Sequence, residues 1–309
     1  MGKVAFVFPG QGSQFAGMGK DLAEAFPAAR RVFARADAAL GEELSSLCFE
    51  GPDERLKLTA NTQPAILAVS LAAFAVLAEH GRRPDGVAGH SLGEYSAVGA
   101  AGGLGVEDLV RTVRRRGELM QEAVPVGVGA MAAVLGPPAD AVAAVCAEAS
   151  RPDSIVVVAN RNAPEQSVVA GHASAVARAG ELLVARGAKR VVPLPVSAPF
   201  HSPLMRPARE GLEPVLARLP FADLFVPLYS NVDAAPVAGA GAVREGLLRQ
   251  VDSPVRWVEL IERMVADGFD TFVEVGPGAV LSGLIRRIAK GAATVQAGTV
   301  AQVEAYAGS

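Results

Sequence analysis

The sequence predicts an α/β protein with a mainly parallel sheet and a smaller βαββαβ unit inserted into it. Three observations carry that prediction. Short apolar runs, such as residues 4–8 and 271–275, alternate with longer helical patterns, the order of a sheet covered by helices on both faces. A glycine-rich segment, Gly89-His90-Ser91-Leu92-Gly93, lies between the apolar pair Val87-Ala88 and a helix-like stretch at 94–101. Between about residues 127 and 196 the rhythm changes to strand, helix, two strands, helix and strand.

Taken from the N-terminus, residues 4–8 form a buried strand, which Pro9-Gly10-Gln11-Gly12-Ser13 ends. Helical patterns run over 18–40, broken near Pro27, and over 64–80. Asn61 or Thr62 can cap the second of these, and Pro64 suits its first turn. The strand at 87–88 and the helix at 94–101 follow, then a helix over 106–123 with Glu107 and Asp108 well placed in its first turn. The inserted unit reads as strand 130–135, helix 138–149, strands 155–159 and 168–170, helix 173–186 and strand 190–196, a ferredoxin-like order. The expected domains are therefore 1–126 with 197–309, and 127–196, hinged at Gly127-Val128-Gly129 and at the loop near Pro195. The large domain resumes with a strand at 224–229, helices at 243–251 and 256–267, and a strand at 271–275. Gly276-Pro277-Gly278 then opens a last helix to about residue 290.

Of the 309 residues, 50% are hydrophobic and 20% charged, enough to fill a sizeable core and too apolar for disorder. The net charge of −3, from 29 basic and 32 acidic residues, gives no general attraction for nucleic acid or an anionic membrane. Neither is expected as a partner. The apolar run 65–78 holds 14 residues with one serine, short of the ~20 that a membrane span needs, and reads as a buried helix. Five apolar residues before Pro9-Gly10 are too few for a signal peptide, so a soluble cytoplasmic protein is expected. Cys48 and Cys146 read as buried small hydrophobes rather than a disulfide. Four histidines and two cysteines show no ligand spacing, and no metal is expected.

The segment at 89–93 reads G-x-S-x-G. Between a strand and a helix, this motif lifts a serine clear of the sheet and turns the N–H groups of the next helix towards an oxyanion. A plain strand–helix turn with a capping serine has the same spacing. A serine nucleophile needs a base, and four histidines are available. His90 adjoins Ser91, where neighbouring side chains diverge. His80 ends a helix before Gly81, a capping position. His172 begins a helix of the inserted unit and reads as surface. His201, within Pro199-Phe200-His201-Ser202-Pro203, sits at the return from the small unit to the large domain, where a ligand crevice is expected. Elimination selects His201, and any reaction it serves as base is then expected to slow on acidification through a pKa near that of imidazole.

Arg116 continues the stripe Leu109, Val113, Met120 at spacings of four, three and four, so it faces inward while Arg114 and Arg115 turn away. A buried guanidinium fork suits a substrate carboxylate or a structural ion pair, and the stripe alone allows both. The loop carrying Gln11 follows the first strand at the carboxyl edge of the sheet, where ligand loops gather. It lacks the Gly-Lys-Ser/Thr of a phosphate-binding loop, and backbone donation to an oxyanion fits it better.

Together these segments resemble the malonyl-CoA:acyl-carrier-protein transacylases and the related acyltransferase domains of polyketide synthases. The matching stretches are Phe8-Pro9-Gly10-Gln11-Gly12-Ser13-Gln14, Thr62-Gln63-Pro64-Ala65, Gly89 to Tyr95, Arg116-Gly117 with Leu119-Met120-Gln121, Pro199-Phe200-His201-Ser202 and Glu274-Val275-Gly276-Pro277-Gly278. The similarity runs through about residue 290 and implies an α/β-hydrolase-like large domain. It implies that Ser91 takes the malonyl group from malonyl-CoA as an ester and passes it to the phosphopantetheine thiol of holo acyl carrier protein, with His201 as base. The N–H groups of Gln11 and Leu92 would hold the oxyanion and Arg116 the free carboxylate. Gln63, Phe200 and Gln250 would complete the substrate site, a carbonyl near Gln250 orienting the histidine. Leu92 and Phe200 are similar to residues that accompany malonyl rather than methylmalonyl selection. No cofactor is implied, and a monomer is expected. The rivals are a trans-acting polyketide acyltransferase and a serine hydrolase or thioesterase, which would draw its acid from Asp140 or Asp153. For an acidic carrier, Lys189-Arg190 or Arg286-Arg287-Lys290 are candidate docking groups.

Overall fold

A strand without a polar residue from Val4 to Phe8 has to be covered on both faces, and β1 (Lys3–Phe8) is the third strand of its sheet. The computed structural model describes residues 2–196 and 198–308; Ser197, the expected return point from the small unit, and the chain ends Met1 and Ser309 lie outside the described residues. The remaining strands are β2 (Gly86–Gly89), β3 (Gly129–Leu135), β4 (Val156–Ala163), β5 (Gln166–His172) and β6 (Arg190–Pro193), followed by β7 (Leu228–Tyr229), β8 (Pro236–Val237), β9 (Phe269–Val275) and β10 (Ala293–Ala297).

Among the described residues, these strands form two sheets. The larger has the order β10-β9-β1-β2-β7-β8 and is parallel throughout, except where β8 pairs antiparallel with β7. Side chains alternate across it as the pleat requires. Phe6, Phe8 and Val87 enter one core with Leu67, Leu71 and Leu109, while Ala5, Val7 and Ala88 enter another with Trp257, Leu260 and Phe272. The helix Thr59–Glu79 is long and apolar enough to cross a membrane, yet most of it is buried, packed against the helices Pro27–Leu40 and Val106–Glu122.

That helix begins earlier than its caps suggest. Pro64 lies inside it rather than in its first turn, and Leu58 precedes it. The Thr62 hydroxyl donates back to the Leu56 and Leu58 carbonyls instead of capping N–H groups. The strand expected at 224–229 shrinks to Leu228–Tyr229 for a similar reason. The N–H groups of Ala222 and Phe225 go to the carbonyls of Gly103 and Ala101 in a loop, and that of Leu224 goes to Ala238. The helices Leu44–Glu50, Arg206–Ala217 and Val300–Ala307 and the strand β10 had no clear signal in the sequence pattern.

The second sheet has the order β4-β5-β3-β6, antiparallel at every step, with helices Ala139–Ala149 and Ala173–Ala185 between its strands in the chain. This is the ferredoxin-like arrangement. One face, with Ala132, Val134, Val158 and Val169, packs on those two helices. The other, with Met131, Ala159, Val168 and Ala170, joins the core that contains Phe200. The edge strand β4 is tied to the larger body: Val255 donates to the Ala159 carbonyl and accepts from Arg161 N–H, both at 2.9 Å. Arg161 also reaches Glu259 at 3.0 Å. Both cysteines are buried free thiols, and burial pushes each up to about 12.

Candidate active site

β1 and β2 are neighbours, and both release their loops at the carboxyl edge of the larger sheet. Ser91 follows β2 with φ of 53°, in the left-handed region that non-glycine residues seldom adopt. Close approach explains the surrounding glycines. A Cβ on Gly93 would lie 2.0 Å from the Phe8 carbonyl oxygen, and one on Gly10 would lie 2.5 Å from that of His90. The loop after β1 and the turn after β2 are thereby pressed together. The N–H groups of Gln11 and Leu92 have no protein acceptor among the described residues, so both stay free to donate.

The Ser91 hydroxyl lies 2.7 Å from Nε2 of His201. The Nδ1 of His201 lies 2.9 Å from the Gln250 main-chain oxygen, which only accepts, so Nδ1 carries the proton and the Nε2 lone pair faces the serine. His201 is itself left-handed, with φ of 57°, and 3% exposed. Burial, reinforced by the Arg116 cation, pushes its pKa down to about 3. The expectation of an ordinary imidazole pKa is thus corrected: desolvation penalises imidazolium here.

Arg116 is 1% exposed and has no ion-pair partner among the described residues. Its Nη1 donates to Oε1 of Gln63 at 2.8 Å, and its Nη2 donates to Oε1 of Gln250 at 2.8 Å and to Oγ of Ser91 at 3.3 Å. Its Nε has no partner, and the guanidinium lies 5.4 Å from the centre of the Tyr95 ring. Neutral amides therefore make its direct contacts, and the nearest buried carboxylate, Glu94, acts on it only across the Gln250 amide, which leaves the guanidinium able to bind an anion. Arg116 makes no direct ion pair among the described residues.

The sequence-selected groups meet in one place. Gln63 also donates to Oε1 of Gln11, tying the first loop to Arg116. Gln250 touches His201 through its main chain and Arg116 through its side chain. Phe200, 8% exposed, and Leu92, fully buried, stand beside His201 and Ser91 in the chain. The other histidines are engaged elsewhere. His80 bonds the Val76 carbonyl at its helix end, and Nε2 of His90 bonds Asn162. His172, half-buried rather than on the surface, accepts from the Ile155 N–H. Asp140 pairs with Arg161 and Asp153 is exposed, so neither serves His201.

A sequence profile of the acyl transferase domain matches residues 5–304. The chain belongs to the acyl transferase domain family. Among relatives of this family, it is 51% identical over 288 residues to the malonyl CoA-acyl carrier protein transacylase of Bacillus subtilis (strain 168), covering 93% of this chain and 91% of the relative. The crystal structure of an acyl carrier protein S-malonyltransferase from Vibrio cholerae is 45% identical with a TM-score of 0.96, over 98% of this chain and 99% of that one. A chain from a solved complex of a type II PKS acyl-carrier protein with its malonyl-transacylase is 44% identical with a TM-score of 0.95, over 98% of both chains.

Within this acyl transferase site, sequence reasoning missed Asn231, Glu94 and Asn162. Asn231 accepts from Ser91 N–H at 2.8 Å, and Glu94 accepts from Asn231 N–H at 3.0 Å and from the Gln250 amide. Burial raises Glu94 to about 7 against those donors. A glutamate fully buried in the apolar helix Gly93–Ala100 was the one signal available.

Proposed function

We propose that this chain transfers a malonyl group from malonyl-CoA to the phosphopantetheine thiol of holo acyl carrier protein through an ester on Ser91. One observation carries the reading: a buried Arg116 with no carboxylate in direct contact shares its site with a serine bonded to a neutral, oriented histidine. The names of its relatives point the same way.

In the first half-reaction, Nε2 of His201 takes the Ser91 proton as Oγ attacks the thioester carbon. The oxyanion forms beside the N–H groups of Gln11 and Leu92, and the C–S bond breaks as His201 returns the proton to the CoA sulfur. The second half mirrors it. The carrier thiol loses its proton to His201, its sulfur attacks the ester, and Ser91 leaves with that proton. Arg116 holds the malonyl carboxylate throughout, in place of some of its amide contacts, while Gln63 and Gln250 keep the fork oriented. Phe200 and Leu92 bound the acyl pocket. The Gln250 carbonyl plays the part that an acid plays in serine hydrolases, so the hydrolase reading has no acid to use. Carriers of fatty-acid and polyketide synthesis present the same thiol to this site. We place the protein in the cytoplasm, a reducing compartment that suits two free thiols.

The docking groups suggested for the carrier are partly engaged within the chain. Lys189 pairs with Glu165, Arg286 donates to Thr294 and Arg287 to Gln166. The test of the proposal is intact mass after mixing with malonyl-CoA. One malonyl group should add to the wild type and none to Ser91→Ala; an adduct that persists in the variant overturns the assignment.

A further inference from the structure

Ser91 needs support that its own strand and helix do not provide. Its N–H precedes the helix Gly93–Ala100 and has no carbonyl one turn back to bond, while its left-handed backbone is strained. The support comes from a residue 140 positions away. Asn231, with no exposed surface, uses both ends of its carboxamide on the turn. Its Oδ1 accepts from Ser91 N–H at 2.8 Å, and its Nδ2 donates to the Gly89 carbonyl at 2.7 Å. Its main-chain N–H is fixed in turn by Oε1 of Glu94, on the helix that Ser91 leads into.

The segment carrying Asn231 is itself held in an unusual shape. Ser230 N–H bonds the Ala235 carbonyl and Ala234 N–H bonds the Ser230 carbonyl, with Ala234 at φ of 51°. Among the described residues, the non-glycine positions with positive φ are Ser91, His201 and Ala234. Two of these carry the chemistry and the third shapes the turn that reaches them. Arg249 closes a fork on Asp233 at 2.9 and 2.6 Å, pinning that turn to the helix that ends in Gln250, whose carbonyl orients His201.

We propose that Asn231 is a positioning residue for the nucleophile: its carboxamide clamps the backbone on both sides of His90 so that the Ser91 hydroxyl points at Nε2 of His201. This rests on Ser91 being the acylated group. Asn231 bonds neither His201 nor Arg116, and the Gln250 amide approaches its Oδ1 only at 3.5 Å, so its loss should act on the rate of acylation far more than on the recognition of malonate by Arg116.

The test compares the wild type with Asn231→Ala and Asn231→Asp, following the malonyl adduct by rapid-quench intact mass and melting each protein in parallel. Asn231→Ala should lower the acylation rate constant by roughly 10²-fold, the scale of a small misplacement of reacting groups, with KM for malonyl-CoA and the preference for malonyl over acetyl unchanged. Asn231→Asp keeps the acceptor for Ser91 N–H but, when ionised, has no donor for the Gly89 carbonyl. Its acylation should therefore quicken on acidification as the carboxyl regains a proton, whereas the wild type should not quicken. If the alanine variant fails to fold, that opposite pH response decides the matter alone. Wild-type rates in Asn231→Ala overturn the proposal, as does a loss shared by KM and acyl preference, which marks general loosening. An aspartate variant without the acid-side rise also overturns it. A wild type that forms no adduct overturns the underlying acylation reading as well.

Discussion

The Nη2 of Arg116 lies 3.3 Å from the Oγ of Ser91, so the buried cation and the serine hydroxyl share one confined space. A malonyl group has a single methylene between its carboxylate and its thioester carbon. Only an anchor this close to the nucleophile can hold one end while the other is attacked. The same distance makes the cation act on the histidine beyond the serine.

Removing the fork should therefore change which acyl group is used. Arg116→Ala leaves a malonyl carboxylate desolvated without its partner, a loss of about 2–5 kcal/mol, or roughly thirtyfold to several thousandfold in kcat/KM. An acetyl thioester has no carboxylate, and its kcat/KM should change little or rise. Arg116→Lys should recover part of the malonyl activity, because an ammonium cannot reproduce the fork. Acylation by malonyl-CoA and acetyl-CoA, compared in the three proteins, checks this; equal losses for both substrates mean that Arg116 only supports the fold.

The acid limb of the rate should lie far below neutrality. With His201 held at about 3, kcat/KM for acylation should stay level as pH falls through 6.5, the ordinary value for histidine. A bound malonyl carboxylate neutralises Arg116, so the limb in kcat should sit at higher pH than the limb in kcat/KM. In Arg116→Ala the limb in kcat/KM should also move up. Stability follows the same sign. Between about 3 and 6.5 the unfolded chain binds the proton that folded His201 refuses, so this histidine's contribution is lost as pH falls through that window. Parallel pH–rate and pH–melting profiles of the wild type and His201→Ala check both.

Trp257 is fully buried and stands edge-on to His90 at 5.5 Å between ring centres. Trp257→Ala should cost about 3–5 kcal/mol of stability, because a large cavity opens under the turn that carries Ser91. It should also slow acylation, since the bond from His90 to Asn162 on β4 loses its support. Chemical denaturation and acylation rates measured at low temperature separate the two effects.

How much of this was legible depended on sequence distance. The strand–turn–helix around Ser91 is local, and the period of the helix Val106–Glu122 turned Arg116 inward, so both could be read directly. His201 came from elimination among four histidines, and the inserted βαββαβ unit from its rhythm. Gln250 entered through resemblance alone, for a main-chain carbonyl leaves no mark on residue type. Asn231 was invisible, because its partners lie 140 positions away and an asparagine after a short strand is ordinary turn chemistry. Helix starts failed at Thr59, where the bonding of Thr62 back to Leu56 and Leu58 overrode the capping signal.

The two cysteines have a meaning for transfer chemistry. In the proposed mechanism the protein would carry an acyl ester between its two half-reactions, and any thiolate nearby would be a rival to the incoming carrier. Cys48 and Cys146 are buried, and burial pushes both thiols up to about 12, away from the thiolate form. Neither can intercept the acyl group, and the carrier's sulfur is left without competition from the protein that serves it. Brief exposure to iodoacetamide at neutral pH should leave transfer intact and add no mass to the native chain, while the unfolded chain should take up two carbamidomethyl groups.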